Sequence, residues 1–584
     1  MMFAQRRQSL AALMLAAVAS LPFLSRFHFL PLPQWWGEIS VVFLTVLACY
    51  CLPWQRGAEL PRTTLWMLLL AGVWAAQPLL LPVLFPGLNQ ATALAFVALA
   101  LLGWMTAQWR AAAGNDAVIA LLCKSLLLGA LAQSLIGLAQ LTGLAQLMGG
   151  VLFYDGAHPT TNIFGHIGQR NQYAHYLTWG VIAACWLAAS EQWSRRWLAA
   201  AVLWLALSIA FAGSRTVLLY TVALALLAPW WHWRVRSATS RRMWQALWLA
   251  VVAIIAMQFV LPLGERLLAP LLHGQVVASG VERLSSNVDG MGARRLAEWG
   301  KAWLVFREAP LYGVGWSQYA AQSVRLQMLP QFANAGVNSG LFANAHNLVF
   351  QLLAEMGLLG TAAALLGFAW AVWPYLSRRV DASQLVPVAV MSVTLIHSML
   401  EYPLWYLYFP AVLVMMASLA PASGRAAPAL LPLLARGVAL LMLALALYGS
   451  WRYIELQGLY YPTSQKKQQR LEQIIRSEPM FAAHALGLLD DVIQPTAAAT
   501  PNQRKWLDLM AAYRPYPDVL LRKAKMEALA GEQVRAASTL RTALASFPTY
   551  APDFLDDLDE DEPAWRELRQ IAQQAVAALP AQYR

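Results

Sequence analysis

The chain has 584 residues, of which 59% are hydrophobic and only 12% carry a charge. This composition excludes a soluble protein built around a single core and indicates a chain that crosses a membrane many times. The net charge of +12 comes mostly from arginines in short connections between apolar runs. It therefore signals membrane orientation and does not indicate a nucleic-acid partner.

Apolar runs long enough to form membrane-spanning helices occur along most of the chain. Thirteen such runs lie near residues 9–24, 37–54, 65–84, 91–109, 117–148, 172–190, 196–212, 214–231, 244–264, 346–374, 383–400, 403–422 and 430–450. The sequence therefore predicts an all-α polytopic membrane protein with about thirteen transmembrane helices.

Arginines occupy every second connection between these runs, as expected for connections that stay in the cytoplasm. They are Arg6, Arg7, Arg56, Arg62, Arg110, Arg195, Arg196, Arg234, Arg236, Arg241, Arg242, Arg378, Arg379 and Arg425. The N-terminus is then cytoplasmic, and the opposite connections, including 149–171 and 213–215, lie outside. The predicted division is transmembrane helices 1–9 in 1–264, a large outer loop in 265–345, transmembrane helices 10–13 in 346–450, and an outer helical domain in 451–584.

The outer domain begins where charged helical segments replace the apolar runs. Residues 517–550 have the 34-residue period of a tetratricopeptide repeat (TPR), with Gly531 at the turn and Pro548 after the second helix. Stable repeat arrays usually need about three copies, and only one copy is clear. The sequence therefore predicts a TPR-like domain with degenerate repeats.

Three polar clusters lie near the outer ends of predicted spans, where polar groups usually face a cavity or a partner. The first, in GHIGQRNQYAHYL (165–177), contains His166, Gln169, Arg170, Asn171, Gln172 and His175. The second, in NAHNLVFQLLAEMG (344–357), contains His346, Asn347, Gln351 and Glu355. The third, in HSMLEYPLWYLYFP (397–410), contains His397, Glu401 and Tyr402, and the short turn FAGSRT (211–216) adds Arg215.

Helix positions suggest roles for two of these groups. Arg170 is predicted at the start of a helix, where free backbone N–H groups favour an anion. His346 is predicted in a first helical turn, where the helix dipole favours a neutral ring that can accept a proton. Taken singly, such residues are more often helix caps, interfacial anchors or interhelical contacts than catalytic groups. The convergence of several clusters on one side of the membrane favours a shared site.

The three quoted segments resemble signature segments of the bacterial PglL-type pilin and protein O-oligosaccharyltransferases, within the larger group of O-antigen ligases and Wzy-type polymerases. The resemblance implies a GT-C type glycosyltransferase of the inner membrane. Such an enzyme transfers a preassembled oligosaccharide from undecaprenyl diphosphate to serine or threonine hydroxyls of periplasmic proteins such as pilin. The resemblance also implies an essential histidine at His346 and donor-diphosphate contacts at Arg170 and Arg215. The other cluster residues are expected to support the site or to contact glycan or acceptor.

The chemistry of these residue types is consistent with that resemblance. Arginine pairs bidentately with phosphate oxygens, and a neutral histidine can take a proton from an acceptor hydroxyl. Metal-dependent glycosyltransferases commonly carry an acidic pair near the site, but the first outer loop, SRFHFLPLPQWWGE, contains no aspartate. We therefore expect a metal-independent enzyme without a cofactor.

Other functions fit parts of the same sequence. The same groups could ligate O-antigen to lipid A–core or polymerise its repeat units, although the outer C-terminal domain favours a protein acceptor. A flippase for the lipid-linked glycan is the non-enzymatic alternative. It predicts functional polar groups through the whole membrane depth, whereas the main clusters lie near one face and the spans show no evident inverted repeat. A scaffold protein would tolerate replacement of Arg170, Arg215 and His346.

Overall fold

The computed structural model describes residues 2–54, 59–268, 278–285, 291–333, 340–421, 430–460, 465–496 and 499–581. Two arginines of the orientation pattern, Arg56 and Arg425, lie outside these residues. The described residues form α-helices and short 3-10 turns and contain no β-strand, which confirms the all-α prediction.

The α-helices are numbered in chain order. They are α1 (Met2–Ala17), α2 (Trp35–Cys51), α3 (Arg62–Leu80), α4 (Pro86–Ala113), α5 (Asn115–Leu141), α6 (Leu144–Leu147), α7 (Arg170–Ala189), α8 (Arg195–Phe211), α9 (Val217–Val235), α10 (Ala238–Leu268), α11 (Gly280–Ser285), α12 (Met291–Glu308), α13 (Tyr319–Gln327), α14 (Leu348–Val372), α15 (Pro374–Ser377), α16 (Leu385–Ser398), α17 (Tyr408–Ser418), α18 (Leu431–Gly458), α19 (Gln465–Ser477), α20 (Pro479–Leu488), α21 (Pro501–Tyr513), α22 (Pro517–Leu529), α23 (Gln533–Ser546), α24 (Ala551–Asp557) and α25 (Arg566–Ala578).

Each of the thirteen predicted apolar runs overlaps a helix. Within the described part of the chain, six helices are long and apolar enough to cross a membrane: Arg62–Leu80, Pro86–Ala113, Asn115–Leu141, Ala238–Pro262, Leu348–Ser377 and Leu431–Gly458. Several other apolar helices are shorter, and α17 has only 11 residues. The chain is therefore consistent with a polytopic membrane protein, and the number of thirteen spans stays a prediction.

The helices group into two compact units. The first unit comprises Met1–Leu70, Ala95–Asn287 and Ala364–Tyr453, and the second comprises Ala71–Leu94, Val288–Ala363 and Ile454–Arg584. The two units are defined by which residues pack together, whereas the division at 264, 345 and 450 is defined by the side of the membrane. Packing does not test that division, which stays a prediction.

Helix α7 is the central element of the first unit. It packs against α5, α8, α10 and α16, and it is buried along most of its length. Gly180 allows the close approach of α5, because a Cβ atom at this position would lie 2.3 Å from the Cβ of Ala130. Small residues at such contacts are typical of membrane helix pairs, where van der Waals packing drives association. The start of α7 is therefore held by a rigid surrounding bundle.

The second unit contains α12, α13 and the helices that follow α18. Helices α22 and α23 form the antiparallel pair predicted for 517–550, and Gly531 takes a left-handed φ of +80° at their turn. Ala524, Ala536 and Ala543 are fully buried in the core of this pair. The local helix–turn–helix is therefore confirmed, while its assignment to the TPR class stays a prediction.

Candidate active site

Helix α7 begins at Arg170 because the preceding residue caps it. Gln169 has an extended backbone, and its side chain accepts a hydrogen bond of 2.7 Å from the Gln172 N–H. Before the cap, Gly165 and Gly168 take left-handed φ angles of +61° and +81°, which glycine adopts without strain. The prediction that Arg170 lies at the start of a helix is confirmed.

Arg170 is held by a short chain of polar side chains. Its guanidinium donates to Asn162 Oδ1 at 2.9 Å, and Asn162 Nδ2 donates to Asp155 Oδ2 at 2.8 Å. The Asn162 amide lowers the pKa of the Asp155 carboxyl below its usual value. Arg170 stays partly exposed beside the first N–H groups of α7, and both features suit an anion.

Asn171 joins three segments that lie far apart in sequence. Its Oδ1 accepts a 2.8 Å hydrogen bond from Ser214 Oγ, and its Nδ2 donates to Glu401 Oε1 at 3.1 Å. We call this set of Asn171, Ser214 and Glu401 the asparagine node. It brings the start of α7, the turn before α9 and the chain after α16 together within the first unit.

Arg215 lies next to the asparagine node in the turn between α8 and α9. Its Nη1 donates to the carbonyl oxygen of Arg283, and Arg283 Nη1 donates to the carbonyl oxygen of Gly213, each at 3.4 Å. Arg215 and Arg283 are therefore linked by reciprocal side-chain to backbone contacts. The sequence predicted Arg215 but missed Arg283.

Two glycines make this arginine contact possible. A Cβ at Gly213 would lie 2.6 Å from the carbonyl oxygen of Ala278, and one at Gly280 would lie 2.7 Å from that of Ser214. Any side chain at either position would push α11 away from the turn. The sequence signal for the Arg283 contact is thus a pair of glycines. Gly280 lies three residues before Arg283, and Gly213 lies more than sixty residues earlier.

His175 and His397 lie inside the helix bundle. Both are fully buried, their Nδ1 atoms are 2.9 Å apart, and the His175 ring stacks on Phe409 at 4.9 Å between centroids. One ring must donate its Nδ1–H to the other, so the pair joins α7 to α16. Neither ring reaches the surface, so both are placed to support the bundle, and the expectation that they support the site or contact glycan or acceptor stays a prediction.

His166 and Gln172 are also largely buried. His166 Nδ1 lies 3.0 Å from the Leu24 carbonyl oxygen, its backbone N–H donates to Gln133, and burial lowers the pKa of its ring. Gln172 hydrogen-bonds the Tyr406 hydroxyl. These residues hold the loop against the bundle. Tyr402 is half-buried, with its ring 6.0 Å from that of Tyr406.

His346 belongs to the second unit and precedes α14 by two residues. The helix cap is Asn347, whose Oδ1 accepts from the N–H groups of Val349 and Phe350 at 3.0 and 3.2 Å. The prediction that His346 lies within the first helical turn is therefore wrong. A capping amide takes that place, and His346 has a left-handed φ of +53°.

The His346 ring has a defined hydrogen-bond partner. Its Nδ1 lies 3.0 Å from the carbonyl oxygen of Asn344. A carbonyl can only accept, so this contact places a proton on Nδ1. The neutral ring that the helix dipole is expected to favour stays a prediction.

Gln351 and Glu355 follow Asn347 on the predicted helix face, but both are buried. Gln351 Oε1 accepts from the Ala345 N–H at 2.6 Å, and Glu355 Oε1 accepts from the Tyr319 N–H at 2.9 Å. They therefore fix the segment around His346 and do not face an open cavity. Of the two roles expected for them, support of the site or contact with glycan or acceptor, this placement favours support, and the role itself stays a prediction.

An aromatic contact also supports His346. The Phe342 ring meets the His346 ring edge to face at 5.3 Å, and the Arg294 guanidinium lies 5.0 Å from the Phe342 centroid. Arg294 in turn pairs with Glu298 at 3.2 Å. The sequence reasoning missed Phe342 and Arg294, because nothing in their local pattern points to His346.

Three ranges of the chain match known protein families. A family profile described as "Protein glycosylation ligase" matches residues 163–188, and one described as "O-Antigen ligase" matches 200–365. A third, "Virulence factor membrane-bound polymerase, C-terminal", matches 385–557. The matched ranges contain Arg170, Arg215, His346 and Glu401. The predicted resemblance to PglL-type enzymes within the O-antigen ligase and Wzy group is confirmed.

A relative with a curated name is similar over most of the chain. The general O-oligosaccharyltransferase of Acinetobacter baylyi (strain ATCC 33305 / BD413 / ADP1) is 26% identical over 408 residues, which cover 68% of this chain and 68% of the relative. The helices and these likenesses together support a multi-pass membrane protein and a glycosyltransferase-type enzyme.

Proposed function

We propose that the protein transfers a preassembled oligosaccharide from undecaprenyl diphosphate to a serine or threonine hydroxyl of a periplasmic protein such as pilin. The observation that carries this proposal is the asparagine node, which links the start of α7, with Arg170, to the turn that carries Arg215. Two guanidinium groups next to one node suit a ligand with two phosphates. The likeness to a general O-oligosaccharyltransferase supports a protein as acceptor.

Arg170 and Arg215 would bind the donor diphosphate. As the bond between the sugar C1 and the phosphate oxygen breaks, negative charge grows on the leaving undecaprenyl diphosphate. Guanidinium groups stabilise this charge through paired N–H donors. Arg283 would add a third guanidinium through its link to Arg215. Glu401 would act as a positioning residue, since its carboxylate fixes the Asn171 amide.

His346 would serve as the general base. Its Nε2 lone pair takes the proton of the acceptor hydroxyl while that oxygen forms the new bond to the sugar C1. The Nδ1–H donated to Asn344 orients the ring for this step. A positioned base of this kind contributes on the order of 10²–10⁴-fold in rate. The mechanism needs no metal, because arginines supply the positive charge.

The orientation follows from the arginine pattern. We propose a protein of the bacterial inner membrane with a cytoplasmic N-terminus and with the asparagine node, His346 and the C-terminal helical domain on the periplasmic side. The C-terminal domain, with its α22–α23 pair, would hold the acceptor protein.

Reconstitution tests this proposal. The purified chain is mixed in liposomes with an undecaprenyl-diphosphate-linked glycan and either a pilin or lipid A–core, and each acceptor is weighed by mass spectrometry. We expect the pilin to gain the mass of the glycan, with and without EDTA. A gain on lipid A–core alone would favour the ligase alternative, and loss of transfer in EDTA would contradict metal independence.

A further inference from the structure

Helix α12 has three charged residues on the inside and two large apolar residues on the outside. Glu298 and Lys301 are 0% exposed and Arg294 is 4% exposed, whereas Leu296 is 64% and Trp303 is 44% exposed. A helix on the surface of a soluble domain shows the opposite arrangement. An outward apolar face indicates contact with an apolar phase or a partner.

Buried hydrogen bonds join the inner face of α12 to α13. Lys301 Nζ donates to Glu298 Oε1 at 2.8 Å and to Gln327 Oε1 at 2.7 Å, while Ser323 Oγ donates to Glu298 Oε2 at 2.6 Å. Burial lowers the pKa of Lys301 to about 8, and the Glu298 charge opposes this shift. Because Glu298 and Lys301 both hydrogen-bond side chains of α13, the orientation of α12 is fixed with Leu296 and Trp303 outward.

The outer face of α12 is a continuous apolar stripe. Leu296, Trp299, Trp303 and Phe306 recur at intervals of three and four residues, so they follow one side of the helix. The Trp303 and Phe306 rings lie 5.2 Å apart between centroids. Trp299 also stacks on Phe350 of α14 at 5.8 Å, so the stripe reaches the first turn of that helix.

The chain after α12 continues this apolar surface onto a candidate membrane span. Leu311 is 54% exposed, and its carbonyl oxygen accepts from the Leu359 N–H at 3.2 Å. Leu358 donates to the Pro310 carbonyl at 2.8 Å, and both Leu358 and Leu359 are 52% exposed in the span Leu348–Ser377. A helix that crosses the membrane turns its outward face to lipid, and Leu311 lies between this candidate span and α12 along the chain.

We infer that the outer face of α12, together with residues 310–312, is a membrane-contact surface that lies in the boundary layer of the bilayer. The partner is lipid: the exposed Trp303 suits the interfacial zone, and the exposed Arg307 follows it one turn later, where a long basic side chain can reach the headgroups. Glu308 and Arg325 form an exposed ion pair, which we place on the water side of this surface. This inference does not depend on the proposed function.

Depth-dependent fluorescence quenching tests the inference. Cys49, Cys51, Cys123 and Cys185 are unpaired and would first be replaced by alanine. Single cysteines at Leu296→Cys, Trp303→Cys and Leu311→Cys are then labelled with an environment-sensitive fluorophore in the full-length protein in lipid nanodiscs. The matched control is Val534→Cys on α23, which is apolar and 85% exposed but has no apolar stripe around it.

We expect the labels at 296, 303 and 311 to emit at shorter wavelength and to lose emission with lipids brominated on their acyl chains. The label at 534 should respond only to iodide in the water. Quenching of the α12 labels by iodide alone would overturn the inference. A blue shift without lipid quenching that disappears at one protein per disc would assign the surface to a second copy of the chain and would also overturn it. Because three positions are labelled, a single variant that fails to fold does not decide the result.

Discussion

Asn171 uses both ends of one amide to connect Ser214 and Glu401, which lie more than 180 positions apart. Its Oδ1 and Nδ2 are both engaged, so the amide cannot rotate without losing two hydrogen bonds. A hydrogen bond to a charged partner such as Glu401 contributes about 1.5–3 kcal/mol. The geometry of Arg170 and Arg215 therefore depends on a neutral residue that no charge pattern would single out.

We predict that Asn171→Asp lowers glycan transfer by roughly 10- to 100-fold, which corresponds to the loss of one such hydrogen bond. The aspartate cannot donate to Glu401 and adds a second negative charge where the donor phosphates would bind. Transfer is measured at saturating and at low donor concentration, and the KM for the donor should rise. Asn115→Asp is the control, because Asn115 also bonds a serine, Ser383, at a helix start. Equal activity of both variants with the wild type would contradict the role of the asparagine node.

For single residues, the sequence predicted which residues belong to the candidate site better than it predicted their contacts. Arg170, Asn171, Arg215 and Glu401 were recognised because polar groups beside apolar runs are unusual. Arg283 was missed because its contact depends on two glycines from distant segments. For His175 and His397 the sequence leaves open whether they support the site or contact glycan or acceptor, because it does not show which side of α7 and α16 faces the bundle interior.

Helix α14 is interrupted at Gly357, which has φ +62° and ψ −166°. The gap in its hydrogen bonding is filled by the segment before α13. Val314 N–H donates to the Ala354 carbonyl at 2.9 Å, and Leu358 N–H donates to the Pro310 carbonyl at 2.8 Å. The first part of α14 is therefore a short rigid helix that carries His346 at its start.

We predict that Gly357→Ala destabilises the protein by at least about 1–3 kcal/mol, because this backbone region is accessible essentially only to glycine. The added Cβ would also lie 2.5 Å from Gly313 N and from the Leu311 carbonyl oxygen. Thermal unfolding in detergent measures the change.

The matched control is Gly72→Ala in α3. A Cβ there meets no atom within 4 Å, so the substitution should be neutral or should stabilise the helix by roughly 0.5–1 kcal/mol. If Gly357→Ala behaves like Gly72→Ala, the interruption does not hold α14 in place.

The sequence predicted where helices form but not where one is interrupted. The run 346–374 is uniformly apolar, and a single glycine within a membrane helix is common. The interruption depends on residues 310–315, which lie more than forty positions earlier. The same limit applies to α12, whose outward face follows from the hydrogen bonds of Glu298 and Lys301 to Ser323 and Gln327 of α13.

For the molecule as a whole, composition was the most informative feature. It excluded a soluble fold, and the helices and family likenesses are consistent with a multi-pass membrane enzyme. The number of spans is harder to read, because a run that is apolar enough can also form a short buried helix such as α17. Acceptor and donor identity rest on the likeness to known enzymes, since recognition of a glycan or a pilin leaves no simple pattern in the sequence.

We propose that His346 acts as the general base of the transfer reaction and that Arg170 and Arg215 bind the donor. His346→Asn is the sharpest variant, because asparagine tolerates the left-handed backbone of this position, where φ is +53°, but has no basic nitrogen. Arg215→Ala is the companion variant, which should weaken donor binding.

The decisive measurement compares donor binding with glycan transfer for purified His346→Asn in liposomes. We predict that it binds the lipid-linked donor as tightly as the wild type but transfers glycan at least about 100-fold more slowly. Transfer at the wild-type rate would contradict the assignment of His346 as the general base.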